Sequence, residues 1–336
     1  MADPGVRDVA QRAGVSVGTV SNVLNHPEKV SATVVERVLA VIDELGFIRN
    51  GAARQLRDGR STTIGLVVLD VRNPFFTDVA RGAEDQAAAA GLTVTLGNSD
   101  ENPAREAKYL DLFEQQRVHG VLISPFADIT ERLGRLRRRG IPTVIVDRRS
   151  ADDSLSSVSV DDVAGGRLAV EHLVAEGRRH IVFIGGPIEI RQVSDRLEGA
   201  RLAVADHSNV RLEVLPIEAL GVLAGRSAGG SIVARDVTDR PDAVFAANDL
   251  VAMGVLQALM LQGAGIRVPE DIALIGYDDI GFASAAVVPL SSIRQPSALI
   301  GRTAVDILLA EAGDAATPPR HVVFQPELVV RESTRR

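Results

Sequence analysis

The chain has 336 residues, of which 46% are hydrophobic and 24% charged, so it has enough apolar material for two or three compact cores. It contains no cysteine, which excludes disulfides and thiolate metal sites. No apolar run approaches the ~18 residues needed to cross a bilayer, and the N-terminus lacks the apolar core of a secretory signal. These features are typical of a cytoplasmic protein with no membrane partner.

The net charge of −7 is unevenly distributed along the chain. Residues 1–60 carry eight basic and seven acidic side chains, whereas the remainder carries 29 basic and 37 acidic side chains. Arginines gather at positions 49–60. Any contact with nucleic acid is therefore expected to be local and repeated in a dimer, not spread over a broad basic surface.

Three amphipathic helices are predicted at the N-terminus. Residues 6–13 place their apolar side chains on one stripe, and Gly14 then allows a tight turn. Ser16 is suited to cap a second helix. A third helix follows, with an apolar face that includes Leu39. Two helices joined at a glycine turn and supported by a third predict a helix-turn-helix domain.

From Thr63 onward, short apolar runs alternate with amphipathic stretches. This alternation predicts parallel strands connected by helices, a doubly wound α/β architecture, and the series is long enough for two such units. The last segments indicate that the chain crosses between the two units. The predicted boundaries are 1–48 for the helix-turn-helix domain, 49–61 for a polar, basic linker, 62–161 with 291–319 for lobe 1, and 162–290 with 320–332 for lobe 2.

Segments along almost the whole chain resemble the lactose-repressor (LacI/GalR) family of transcription regulators, in the order expected for that family. They include DVAQRAGVSVGTVSNVLN (8–25), IGLVVLDVRNPFF (64–76), RPDAVFAANDLVAMGVLQAL (240–259) and IGYDDI (275–280). An isolated helix-turn-helix match would be weak, but the ordered set is specific. The resemblance implies an all-α headpiece followed by a periplasmic-binding-protein-like sensor at 62–336, which binds an effector and mediates dimerisation.

The resemblance implies that the second helix enters the major groove of DNA with its N-terminal side chains against base edges. The residues placed for base contact are Val17, Gly18, Ser21 and Asn22, and those placed for phosphate contact or capping are Ser16, Thr19 and Asn25. The alternative is that these small polar side chains only solvate a helix.

Two headpiece positions depart from the family pattern. The family usually carries arginine where this chain has Asn22; arginine suits guanine, whereas asparagine can bond adenine through two atoms. We therefore expect the half-site to prefer A·T where those of relatives prefer G·C. Gly5 stands where the family has a capping threonine, so the first helix is expected to fray.

In the linker, four residues match the family's hinge helix: Asn50, Ala53, Arg54 and Leu56. The resemblance implies that two hinges, one per subunit, fold together in the minor groove, where Leu56 acts as a wedge between base steps. The alternative is a flexible tether with an incidental leucine.

A ligand site is predicted at the carboxyl ends of the strands, where doubly wound sheets bind ligands. The residues at those ends are Asn73, Phe75, Phe76, Asp147, Asn248, Asp249 and Asp278, and the resemblance adds Arg196 and Gln295. Such polar groups around an aromatic face would bond the hydroxyls of a sugar or sugar derivative and stack on its ring. Any one of them, such as Asn248, could instead be a helix cap, and a nucleobase or a phosphorylated effector is an alternative ligand.

Enzyme functions are disfavoured, because the chain lacks the phosphate-binding, dinucleotide, zinc-protease and serine-hydrolase motifs, and no cofactor is expected. The sequence therefore predicts a ligand-controlled repressor that binds a pseudo-palindrome as a homodimer. The absence of a leucine heptad near Arg336 predicts a dimer over a tetramer. Two alternatives remain, a periplasmic sugar-binding protein and a sugar-modifying enzyme, and whether the ligand releases or tightens DNA binding stays open.

Overall fold

The computed structural model describes residues 4–47, 61–261, 265–314 and 316–335. The chain divides into two compact units, residues 1–60 and residues 61–336. The predicted hinge residues Asn50, Ala53, Arg54 and Leu56 lie outside the described residues. None of the helices in the described ranges is long and apolar enough to span a bilayer.

The first unit is a three-helix domain. It contains α1 (Val6–Ala13), α2 (Val17–Asn25) and α3 (Ala32–Leu45), with a 3-10 turn at Pro27–Lys29 before α3. Gly14 adopts the left-handed conformation, with φ of 66°, which ends α1 and turns the chain into α2. These elements confirm the predicted helix-turn-helix arrangement.

The core of this domain is formed by small and β-branched side chains from all three helices. They are Val9, Ala10, Ala13, Val20, Val23, Val38 and Val41. The prediction that Leu39 faces inward is wrong, since its side chain is 46% exposed. Val38 and Val41, three residues apart, share the buried stripe, and Leu39 lies about 100° around the helix from Val38.

Lobe 1 of the second unit is a parallel six-stranded sheet in the order β11-β5-β4-β3-β1-β2, flanked by helices. Its elements are β1 (Thr63–Val68), α4 (Pro74–Ala89), β2 (Thr93–Asn98), α5 (Pro103–Gln115), β3 (Gly120–Ile123), α6 (Thr130–Arg138), β4 (Thr143–Val146), β5 (Ser156–Val160), α12 (Ser297–Gly313) and β11 (His321–Phe324).

Lobe 2 is a second six-stranded sheet in the order β12-β10-β9-β8-β6-β7, in which only β12 runs antiparallel. Its elements are α7 (Asp162–Ala175), β6 (His180–Gly185), α8 (Arg191–Ala205), β7 (Arg211–Pro216), α9 (Val222–Val233), a 3-10 turn at Val237–Asp239, β8 (Ala243–Ala246), α10 (Asp249–Leu261), β9 (Ala273–Asp278), α11 (Gly281–Ser284), β10 (Ser291–Arg294) and β12 (Glu327–Val329). The two mostly parallel sheets confirm the predicted fold class.

The second and third crossings between the lobes lie about five residues later than predicted. The sequence assigned 291–319 to lobe 1 and 320–332 to lobe 2. The structure pairs β10 with β9 of lobe 2 and β11 with β5 of lobe 1, so the crossings follow residues 294 and 324. Each strand is only four residues long, and β11 pairs with a strand from a distant part of the chain, so the local sequence pattern does not reveal which sheet each one joins.

The central strands are buried on both faces, as expected for parallel sheets covered by helices. One apolar cluster extends through both lobes. The chain segments that leave β1, β4, β8 and β9 at their carboxyl ends meet between the two sheets, and they carry the polar residues described next.

Candidate DNA-binding surface and ligand cleft

The N-terminus of α2 is held by its own polar side chains. Ser16 Oγ accepts a hydrogen bond from the Thr19 N–H at 3.0 Å and lies 2.9 Å from Thr19 Oγ1. At the other end, Asn25 Nδ2 donates to the Ser21 carbonyl oxygen at 2.8 Å. Ser16 is therefore the predicted cap, and the Asn25 amide is drawn back along its own helix.

Three other residues of α2 remain exposed on its outer face: Val17, Gly18 and Asn22. An exposed face with short side chains lets a helix backbone approach base edges closely. At the start of α1, the Asp8 carboxylate accepts the Gly5 N–H at 2.7 Å, which supplies half of a capping box despite the missing threonine.

A cleft between the lobes of the second unit holds about 450 Å³ of space, counting the solvent at its mouth. Its described lining residues are Leu69, Asp70, Asn73, Phe75, Phe76, Glu101, Asp147, Ile190, Gln192, Val193, Arg196, Leu220, Asn248 and Asp278. Seven of the nine predicted ligand residues lie in this lining. Of the other two, Gln295 donates a hydrogen bond to Asp278 at 2.7 Å, and Asp249 is described below.

Two amide–carboxylate hydrogen bonds join the lobes across the cleft. Asn73 Nδ2 of lobe 1 donates to Asp278 Oδ2 of lobe 2 at 2.9 Å. Gln192 Nε2 of lobe 2 donates to Asp147 Oδ2 of lobe 1 at 2.5 Å. All four side chains are buried. The closed arrangement of the lobes thus depends on groups that a polar ligand could also bond.

Both carboxylates stand on strained backbone. Asp147 has φ of 69° and Asp278 has φ of 101°, in the region that side-chain-bearing residues rarely adopt. Each follows or ends a buried strand, β4 or β9 respectively. Residues held in this conformation cluster at ligand sites, because the surrounding structure must compensate for the strain.

Arg196 of α8 is the buried cation of the cleft. Its Nε donates to Asp162 Oδ1 at 2.8 Å, its Nη1 donates to the Ala247 carbonyl at 2.7 Å, and its guanidinium carbon lies 3.7 Å from the centre of the Tyr277 ring. Its Nη2 is 3.8 Å from Asp278 Oδ1. Most of its hydrogen-bonding capacity is thus used to fix the guanidinium in place.

Burial makes the ionised form of the carboxylates around Arg196 unfavourable. Burial, followed by the charge of Asp162, raises the pKa of Asp147 well above its usual value. Burial likewise raises the pKa of Asp278, against the lowering effect of Arg196. Burial opposes the charge on Arg196 as well, but Asp162 and Asp278 outweigh it and raise the pKa of the guanidinium. One cation thus serves several buried acids.

Other predicted residues have structural roles at the same place. Phe75 and Phe76 form an edge-to-face pair with ring centres 5.1 Å apart. Asn73 Oδ1 caps α4 by accepting the Phe75 N–H, and Asn248 Oδ1 accepts the Val251 N–H near the start of α10. The capping alternative for Asn248 is therefore real, although its side chain also lines the cleft.

Asp249 does not belong to the cleft. Its carboxylate accepts Ser292 Oγ–H at 2.7 Å and the Ile280 N–H at 2.8 Å, so it ties α10 to β10 and to the turn after β9. The strand-end pattern predicts Asp249 in the site because it directly follows Asn248. Neighbouring side chains diverge, and only the first of the two lines the cleft.

The sequence analysis missed Gln192, Asp70 and Glu101. Gln192 lies four residues before Arg196 on α8, so the two share a helix face, and that spacing was a usable signal. Asp70 and Glu101 follow β1 and β2 at their carboxyl ends, so the strand-end rule that predicts Asn73 was a usable signal for them as well.

A close helix contact positions α8. A Cβ on Gly199 would lie 2.0 Å from the Val163 carbonyl oxygen, and a Cβ on Gly166 would lie 2.0 Å from the Arg196 carbonyl oxygen. Glycine on both sides therefore lets α7 and α8 touch backbone to backbone. That contact fixes the position of α8 relative to α7, and so the position of Arg196 in the cleft.

A helix-turn-helix domain followed by a two-lobed sensor with a polar cleft defines a ligand-responsive transcription regulator. Residues 6–50 match the family model described as bacterial regulatory proteins, lacI family, and residues 170–334 match the model of a periplasmic binding protein-like domain. The chain is 33% identical over 333 residues to the HTH-type transcriptional repressor PurR of Photobacterium profundum, covering 98% of both proteins. The chain belongs to the LacI family; it is a DNA-binding regulator and not an enzyme.

Solved structures agree with this assignment. The lac repressor dimer bound to operator and the anti-inducer ONPF superposes with a TM-score of 0.84 at 28% identity, covering 99% of both chains. A complex of the transcriptional regulator CelR with cellobiose has a TM-score of 0.72 at 30% identity, covering 98% of this chain and 99% of the other. The likeness spans headpiece and sensor together.

Proposed function

We propose that this protein is a transcriptional repressor that binds a pseudo-palindromic operator as a homodimer and is controlled by a sugar or sugar derivative bound between its lobes. The observation that carries the proposal is the interlobe cleft, where buried carboxylates and amides surround Arg196 beside an aromatic pair. This combination suits a ligand with several hydroxyls and one apolar face. The cellobiose complex of CelR supports the ligand class.

Control of DNA binding would follow from the two interlobe bonds. A ligand that takes over the bonding groups of Asp147 and Asp278 changes the free-energy difference between open and closed lobes. The effect on DNA equals the difference in ligand affinity between the two states. Release of operator would identify an inducer, and tighter binding would identify a corepressor.

For the headpiece, we assign base contacts to Val17, Gly18, Ser21 and Asn22, and phosphate contacts to Ser16 and Thr19. The internal bond of Asn25 makes it the weakest member of the predicted set. The hinge residues Asn50, Ala53, Arg54 and Leu56 are proposed to pair in the minor groove on the grounds of resemblance alone. A regulator of this kind acts on the chromosome, so we assign it to the cytoplasm.

An apolar patch of lobe 2 supports the homodimer. Met260 and Leu261 of α10 and Val287, in the segment after α11, are 44%, 71% and 83% exposed and line one surface groove. Monomeric proteins rarely leave such side chains clustered in water. We propose that a second copy of this chain covers the patch, as a two-fold dimer would require of both subunits.

Oligomeric state in solution tests this interface. Val287→Asp places a charge at the most exposed position of the patch and should convert the dimer to a monomer in light scattering. Leu223→Asp, at an equally exposed position on α9, is the matched control and should leave the mass unchanged. A dimer that survives Val287→Asp would refute the assignment of the patch.

DNA binding tests the repressor itself. Binding sites would be selected from random DNA and then measured by fluorescence anisotropy at two salt concentrations. We expect a palindromic consensus and loss of selectivity in Asn22→Ala, but not in Thr33→Ala on the exposed side of α3. Weak binding that does not depend on DNA sequence and disappears as salt rises would show only non-specific phosphate contact. That result would refute the proposal.

A further inference from the structure

Hydrogen-bond acceptors without donors mark the inner wall of the cleft. Because Gln192 directs its amide nitrogen to Asp147 Oδ2, its Oε1 atom is fixed as an acceptor. Gln192 Oε1 and Asp147 Oδ1 are both buried and have no hydrogen-bond partner among the described residues. Leaving a buried acceptor without a donor is unfavourable, so a ligand that donates to these two atoms binds more tightly than one that does not.

The charged residues of the lining disfavour an anionic ligand. Four of the described lining residues are acids, namely Asp70, Glu101, Asp147 and Asp278, and one is a cation, Arg196. Arg196 is already engaged by Asp162 and by the Ala247 carbonyl. An incoming anion would therefore find no unpaired cation among the described lining residues, whereas every ionised acid of the lining would repel it.

Glu101 lines this cleft and is partly exposed. Burial and the neighbouring Asp70 raise its pKa to about 6, so it carries its negative charge at pH 7.5. Asp70 is partly neutralised by Arg72, whose Nε donates to it at 2.9 Å. Among the described residues, Arg72 forms ion pairs with Asp70 and Asp100, whereas Glu101 has no ion-pair partner.

We propose that the cleft takes an uncharged ligand with at least two adjacent hydrogen-bond donors, and rejects phosphorylated or carboxylate forms of the same molecule, with Glu101 as a residue that sets this charge selectivity. The proposal rests on the proposed function and narrows its ligand class. A phosphate ester carries a charge of about −1.5 to −2 at neutral pH and offers mainly acceptor oxygens, so it fits neither the unpaired acceptors nor the acids.

Matched ligand pairs test the proposal by calorimetry on the full-length protein at pH 7.5. The pairs are ribose with ribose 5-phosphate, glucose with glucose 6-phosphate, and glucose with glucuronate, with cellobiose as an additional uncharged probe. We expect an uncharged member to bind and its anionic partner to bind about 100-fold more weakly, because the anion is repelled by ionised acids and cannot donate to the unpaired acceptors. At low salt, Glu101→Gln should reduce the ratio between the affinities for the uncharged and the anionic ligand. Glu84→Gln, on the exposed face of α4, should leave this ratio unchanged.

Each outcome decides the question. An anionic member that binds as tightly as its uncharged partner overturns the charge selectivity, and so does a panel in which no uncharged sugar binds. Selectivity that is identical in wild type and Glu101→Gln removes Glu101 from the proposal. Operator binding is measured on the same preparation, so failure of the repressor proposal would show there, independently of the ligand result.

Discussion

Gln192, on a helix of lobe 2, donates a hydrogen bond to Asp147, at the end of a strand of lobe 1, with 2.5 Å between nitrogen and oxygen. Both side chains are buried, and the carboxylate also lies 3.4 Å from Ser124 Oγ. The bond connects the two lobes, and both residues line the cleft. It therefore couples closure of the cleft to the ionisation of Asp147.

Removing the donor should destabilise the sensor more at high pH than at low pH. In Gln192→Leu the Asp147 carboxylate loses its amide partner, which we expect to lower the free energy of unfolding by about 1–3 kcal/mol at pH 8. At pH 5 the cost should shrink, because Asp147, whose pKa is raised, is then more fully protonated. Urea denaturation at the two pH values measures the difference.

An exposed bond of the same type provides the control. Gln86 Nε2 donates to Asp306 Oδ1 at 2.6 Å on the outer face of α4 and α12. Gln86→Leu should change the free energy of unfolding by less than about 0.5 kcal/mol, since water replaces an exposed bond. Equal losses in the two variants would argue against a special role for the buried pair.

Ligand binding should release protons. A ligand hydroxyl that donates to Asp147 stabilises the ionised carboxylate and so lowers its raised pKa towards the usual value. At a pH between the pKa of Asp147 in the bound protein and its pKa in the free protein, ligand binding removes the proton from Asp147. Ligand affinity should therefore rise with pH in that range. Calorimetry in two buffers of different ionisation enthalpy measures the number of protons released; uptake of protons would contradict the proposed contact.

Glu101 should make stability depend on pH in the range around 6. Its pKa is raised in the folded protein from 4.5 to about 6, first by burial and then by Asp70, so the protonated form favours folding. That contribution is fully present below about pH 4.5 and is lost as pH rises through 6. Glu101→Gln stays neutral, and we expect it to exceed wild type by about 1 kcal/mol in free energy of unfolding at pH 8, after discounting for partial exposure.

The same variant should gain much less at pH 5, where most of the Glu101 stabilisation is still present in wild type. Urea denaturation at both pH values gives the comparison, and Glu84→Gln serves as the exposed control. A gain that is the same at pH 5 and pH 8 would show that the effect does not come from ionisation.

A methyl group at Gly199 should separate two helices that touch. Its Cβ would lie 2.0 Å from the Val163 carbonyl oxygen, and backbone atoms cannot yield as a flexible side chain can. We expect Gly199→Ala to lower the free energy of unfolding by about 1–3 kcal/mol and to weaken ligand binding, because α8 carries Arg196. Thermal unfolding and calorimetry measure the two effects.

Gly134→Ala is the opposite case. Gly134 lies within α6, where the nearest atom to an added Cβ is Arg138 Nη1 at 3.4 Å. Alanine should therefore stabilise the protein by about 0.5–1 kcal/mol through helix propensity. Destabilisation in both variants would indicate that backbone contact is not the cause at Gly199.

Asn22 should set base preference in the major groove. Its side chain is exposed on α2, and asparagine bonds adenine through two atoms whereas arginine bonds guanine. We expect Asn22→Arg to shift one half-site position from A·T to G·C by about 1–3 kcal/mol, or five- to 150-fold in affinity. Selection of binding sites from random DNA measures the preferred base at that position for wild type and for Asn22→Arg. Guanine at that position in both proteins would refute the assignment.

Local pattern was sufficient for the headpiece and for most of the cleft. Gly14 and Ser16 mark the turn and the cap whatever surrounds them, because a left-handed glycine and a serine cap act within one helical turn. The polar residues after β1, β4, β8 and β9 could be collected in advance, because parallel strands place their carboxyl ends at one edge. Leu39 shows the limit, since a periodic face is wider than the stripe that neighbours actually cover.

The sequence alone determined the order of elements, the class of fold and the residue types available to the cleft, because these follow from periodicity and chain connectivity. Only the tertiary structure decided that β10 joins lobe 2 and β11 joins lobe 1, that Asp249 turns to Ser292, and that Gln192 reaches Asp147. These outcomes depend on pairing and desolvation between residues far apart in the chain. Strand pairing and desolvation of these side chains contribute to the free energy only after the lobes have packed together.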